Sequence, residues 1–155
     1  MKTLAQGRAA LAAYDFSFLE DRYGSDYPNH AADFDRYAEE FRKFLELPFH
    51  TNRPLAAMSN GVDALWHTFI NHTPQYAAFC DDVYGEFLHH QPRSEKFPVP
   101  VEAISNTYTL FQKVFGEPMS DTWFEDIPPA HVIAVRNGQV PVEVTRLKWS
   151  GWPGR

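Results

Sequence analysis

Between Val62 and Pro92 the chain collects four of its seven histidines, its only cysteine and one of its four tryptophans. Asp63 and His67 are four residues apart, which puts them on one face of a helix, one turn from each other. A carboxylate so placed accepts a hydrogen bond from one ring nitrogen and fixes the tautomer. The other nitrogen is then left for a metal or for a substrate proton. Cys80 falls on the inner face of the following helix, and His89 and His90 come one chain reversal later. His67, Cys80 and His90, with Asp63 behind them, form a ligand set that suits zinc, which takes nitrogen and sulfur donors in a tetrahedron.

Each of these residues also has a plainer reading. Cys80 fits as a small buried hydrophobe on an apolar face. His67 fits as a core histidine whose ring bonds Asp63, and His89-His90 fits as a helix end. No Cys-x-x-Cys or His-Glu-x-x-His pattern supports the zinc reading. Asn71-His72-Thr73 reads as a cap for the next helix. His50 and His131 have no thiol or carboxylate beside them in sequence and read as structural or exposed.

The elements that must position this set follow from periodicity. Leu4, Arg8, Leu11 and Ala12 allow a short N-terminal helix. From about 31 to 47, Phe34, Tyr37, Phe41, Phe44 and Leu45 step by three and four, with charges on the other face. That is an amphipathic helix, closed by Pro48. Residues 49–59 read as a loop. Ser59 or Asn60 caps a helix over about 61–71, and Thr73-Pro74 starts the next. Tyr76, Phe79, Cys80 and Val83 form its inner face, and Gly85 ends or kinks it. A proline-rich connector, 92–100, leads to a helix carrying Ile104, Tyr108, Phe111 and Phe115, stopped by Gly116. Two apolar stretches, 131–136 and 139–144, flank Asn137-Gly138, the preferred dipeptide of a tight hairpin turn. The expectation is one domain over 1–155, mainly α, of about four to five helices with a C-terminal β-hairpin and tail over about 130–155.

Bulk properties bound the function. A length of 155 residues suffices for a core without staples. Thirteen Phe and seven Tyr make that core ring-rich. A net charge of −6 argues against a nucleic-acid or anionic-membrane surface. The single cysteine excludes an internal disulfide and fits a reducing compartment. With a charged N-terminus and no long apolar run, the expectation is a cytoplasmic protein. Trp149 and Trp152 in the locally basic tail are expected to fold back on the domain.

The central block resembles the glycine-rich domain-containing protein-like (GRDP-like) family. The matching elements are Phe41-Arg-Lys-Phe-Leu45, Ser59, Val62-Asp63, Leu65-Trp66-His67, Tyr76, Phe79-Cys80, Gly85 and Phe87 to Pro92. Thr109-Leu-Phe, Val114-Phe-Gly116, Pro118 and Trp123 look like that family's close. The resemblance covers about 34–126. Where some members have a second histidine, this chain has Phe69, which leaves Cys80 and His90 as the ligand candidates beside His67. The resemblance implies a shared site without an assigned reaction.

Three readings of function result. In the first, Asp63, His67, Cys80 and His90 form a buried site, zinc-binding, that organises the helix pair of a protein acting through protein or peptide binding. In the second the chain is an enzyme, with His67 oriented by Asp63 as general base and Cys80 as nucleophile or open-site ligand. In the third, Asp63-His67 only pins two helices.

Overall fold

The computed structural model describes residues 2–116 and 119–146. Among them lie eight α-helices: α1 (Leu4–Ala13), α2 (Glu20–Asp26), α3 (Phe34–Glu46), α4 (Asn60–Asn71), α5 (Thr73–Val83), α6 (Val101–Phe115), α7 (Pro129–Arg136) and α8 (Val142–Thr145). Short 3-10 turns at Ser17–Leu19, Ala31–Asp33, Leu47–His50 and Asp121–Trp123 join some of them. Trp149, Trp152 and Pro118 lie outside the described residues.

Helix ends follow local chemistry. Thr3 and Gln6 form a reciprocal capping box at the start of α1. The other end of α1 is closed by Arg42, whose guanidinium donates to the carbonyls of Leu11, Ala12 and Tyr14. Ser59 caps α4 by accepting from the Val62 N–H at 3.3 Å. Pro74 opens α5, where its missing N–H costs nothing.

Helix α3 presents Phe34, Tyr37, Phe41, Phe44 and Leu45 inward. It packs on α4, and α4 packs on α5. Rings fill the space between: Phe69 of α4 lies 5.6 Å from Phe16, 5.1 Å from Phe79 and 5.0 Å from Tyr76, centroid to centroid. These edge-on contacts are a favoured geometry for aromatic pairs. The α3–α4 approach is close enough to demand glycine, since a Cβ at Gly61 would stand 2.2 Å from the Tyr37 ring.

The N-terminus of α4 is anchored from far along the chain. Asp126 accepts from the Asn60 backbone N–H at 2.7 Å and from its side-chain amide at 2.9 Å. Burial pushes the Asp126 carboxyl up, and the Asn60 hydrogen bonds oppose that shift. Ser59 Oγ donates to Glu125, which also accepts from Tyr37 and Arg36. The first two turns of α4, which carry Asp63 and His67, are thereby fixed in position.

The expected C-terminal hairpin is not there: among the described residues there is no β-strand. Residues 129–136 form α7, with Pro129 at its first position and Val135 buried. Asn137-Gly138 closes this helix instead of turning a hairpin. Gly138 takes φ +76°, its N–H donates to Val135, and the Gln139 N–H donates to Ala134. That pair of bonds is the Schellman helix stop. A glycine at positive φ serves a helix end and a tight turn equally well, so Asn-Gly alone does not separate them. The two prolines ahead of Ala130 favour the helix. Pro141, within the second of the expected strands, instead precedes α8.

Candidate metal centre

Asp63 and His67 project from one face of α4, as an i, i+4 pair must. Asp63 Oδ2 lies 3.6 Å from His67 Nδ1, an ion-pair approach beyond hydrogen-bond length. His90 reaches them through a sequence of local constraints. Helix α5 ends at Val83, and Gly85 at φ +73° reverses the chain. The returning segment is then pinned by Tyr76, whose hydroxyl donates to the Leu88 carbonyl at 2.6 Å and accepts from Trp66 Nε1 at 3.0 Å. Two residues later the His90 ring rests on the Trp66 ring, 4.1 Å between centroids. Its Nε2 stands 2.8 Å from His67 Nε2 and 3.3 Å from Asp63 Oδ1.

Asp63, His67 and His90 therefore each offer a ligand atom within 4.8 Å of the others, close enough to hold a metal ion. His67 is buried, and that burial lowers its pKa. The Asp63 charge pulls the other way, and His90 adds slightly to the lowering. The neutral imidazole that a metal needs is thus the favoured form.

Cys80 is fully buried on α5 and outside the close set. Its thiol meets the Leu88 backbone and the Tyr76 hydroxyl, and burial pushes its pKa up, so it is held as a thiol. His89 is exposed, with its ring 5.0 Å from Phe87. His72 closes α4 by pairing its Nδ1 with the Thr68 carbonyl at 2.8 Å. His50 does have an acidic neighbour, one helical turn back: its Nε2 lies 3.1 Å from Glu46. His131 sits on α7 and is not one of the close set.

Asp63, Trp66 and His90 also line a cleft of about 850 Å³. Its walls come from the loop after α3, with Leu55 and Met58, and from the proline-rich connector, with Phe97 and Val99. Sequence reasoning missed this cleft, the Trp66 platform and the Tyr76 clamp. Trp66 and Tyr76 register in the sequence only as inner-face aromatics. The cleft depends on how two loops meet, which no local pattern encodes.

The family model of UCP032817-like proteins matches residues 7–100, more than half of the chain, and the chain belongs to that family. This corrects the resemblance to GRDP-like proteins. The matched span starts well before residue 34 and ends ahead of α6, so the two extents also differ. An Asp-x-x-Trp-His string inside an apolar helical frame is a local pattern, and it served poorly as a family mark. The matched span runs from within α1 through α5 and includes all three metal-capable side chains. No curated protein and no solved structure matches the chain.

Proposed function

We propose that this UCP032817-like protein is a metal-dependent ligand-binding protein in which Asp63, His67 and His90 hold one divalent cation facing the cleft. Zinc suits two imidazoles and a carboxylate, with a remaining position for a ligand. The observation that carries the reading is the convergence of three donors at a point where two of them, Asp63 and His90, also line the cleft. A closed structural zinc site would use a fourth protein ligand. Here Cys80 is engaged with Tyr76 and Leu88.

The chain's own residues divide the work. His67, rigid on α4 and kept neutral by burial, is the fixed donor. His90, held by Trp66, is the adjustable one. Asp63 supplies negative charge and faces both rings. A bound cation supplies Lewis acidity toward a ligand oxygen in the cleft, the chemistry an enzyme of this construction would use.

Cobalt substitution of the full chain tests the reading. Visible bands should saturate at one equivalent and shift on adding azide, which needs an open position. Bands indifferent to azide, joined by a thiolate charge-transfer band in the near ultraviolet, would instead place Cys80 in a closed site.

A second reading gives the cleft to a protein or peptide partner. Phe97, on its wall, is 48% exposed, more than aromatic side chains usually are. Under this reading the metal positions the cleft wall, and azide leaves peptide binding unchanged.

A further inference from the structure

The cleft is charged in a way the chain as a whole is not. The protein carries 20 acidic and 14 basic residues. The cleft is lined by three cations, Arg53, Arg93 and Lys96, against two carboxylates, Asp63 and Glu86. One of those carboxylates belongs to the metal centre. None of the three cations forms an ion pair with a described residue, whereas most other arginines and lysines among the described residues do.

Arg93 stands out among them. Its Nη1 is buried and has no hydrogen-bond partner. Burial lowers its pKa with nothing opposing the shift, which means that no carboxylate compensates for the lost water. A buried guanidinium nitrogen without an acceptor is costly, and native proteins rarely leave one so. A planar fork of donors matches a carboxylate or phosphate. The remaining lining is largely apolar: Phe44, Leu55, Met58, Leu88, Phe97 and Val99. A polar recognition point in an apolar cleft of this volume is the usual form of a small-molecule site.

We infer that Arg93 is the anion-recognition residue of the cleft and that the ligand is a small oxyanion, carboxylate or phosphate, attached to an apolar body. This rests on the metal-centre reading for the identity of the cleft's other polar end. It adds the chemical class of the ligand. Arg53 and Lys96 at the same cleft attract the anion, and Arg93 fixes its head.

Calorimetric titration of the full chain, metal-free and zinc-loaded, tests this with four probes: octanoate, octyl phosphate, octanol and octyltrimethylammonium. Octanoate or octyl phosphate should bind at least about tenfold more tightly than octanol, and octyltrimethylammonium should bind least. The better of the two anions identifies the head group. Arg93→Gln should weaken anion binding by about ten- to a hundredfold, while Arg93→Lys keeps a large part of it. Arg93 is only partly buried in a connector, so both variants should retain wild-type helicity and zinc uptake.

Octanol binding as tightly as the anions overturns the inference on the wild-type protein alone, and so does an Arg93→Gln variant with unchanged anion affinity. The two readings fail separately. Zinc uptake without selective anion binding removes this inference and leaves the metal centre. Arg93-dependent anion binding by a chain that takes up no metal does the reverse.

Discussion

His67 Nε2 and His90 Nε2 stand 2.8 Å apart although 23 residues separate them in the chain. At that distance one ring donates a proton and the other accepts it. Two nitrogens on one tetrahedral zinc stand about 3.3 Å apart, given zinc–nitrogen bonds of about 2.0–2.1 Å. Metal binding would therefore remove the shared proton and open the pair by about half an ångström. The movement would fall to His90, on an irregular segment, because His67 is held in α4. His90→Ala should abolish tight metal binding and also lower the urea midpoint, because its ring, 12% exposed, packs on Trp66. His67→Ala should abolish it too and also cost stability, by about 1–3 kcal/mol, because a buried side chain is lost. Metal titration and urea unfolding of both variants check this.

Tyr76 links three parts of the site by accepting from Trp66 and donating to Leu88. Tyr76→Phe leaves the Trp66 N–H and the Leu88 carbonyl without that partner. The expected loss is about 1–3 kcal/mol of stability, measured by urea unfolding. Metal affinity should also fall, because the segment that delivers His90 is no longer pinned. A ring that only filled space would leave both stability and metal affinity unchanged in Tyr76→Phe.

Cys80 should be inert in the native state. A thiol reagent should modify it at least about a hundredfold more slowly than in the urea-unfolded chain, since the thiolate is the reactive form. Its pKa is raised from 9.0 by burial. Above about pH 9 the unfolded chain loses a proton that the folded chain keeps. The stability this thiol contributes is full below that pH and is lost as pH climbs through the raised value. The difference in unfolding midpoint between wild type and Cys80→Ala should therefore shift against wild type between neutral pH and pH 10.

Gly61→Ala tests the α3–α4 approach. The new methyl would meet the ring of Tyr37, whose hydroxyl donates to Glu125. Neither helix can retreat without breaking that bond or the Tyr23–Gly61 bond. The substitution should destabilise by about 1–3 kcal/mol, although alanine is the better helix former. Thermal unfolding reads it directly.

What was legible in the sequence was local. Helix α3 announced itself by its three-and-four stepping, Ser59 by its capping chemistry, and the Asp63–His67 pair by its spacing. His90 joined the candidate set from its place after a chain reversal. The feature that brings it home, Tyr76 clamping Leu88, is a contact between a helix and a loop with no sequence period. Arg93 falls in the proline-rich connector with no sequence signal of its own, and only its buried Nη1 marks it. The C-terminal error came from a signal with two physical outcomes. Asn137-Gly138 supplies a positive-φ glycine, and Pro129 had already committed the preceding residues to a helix.

The central claim is that Asp63, His67 and His90 bind one metal ion. Elemental analysis of the chain purified without a histidine tag, dialysed against zinc and then against buffer, addresses it most directly. The account predicts one zinc per wild-type chain and almost none in Asp63→Ala, His67→Ala or His90→Ala. Cys80→Ala should retain it. Wild-type protein holding only a small fraction of an equivalent, or triad variants retaining as much zinc as wild type, would contradict it.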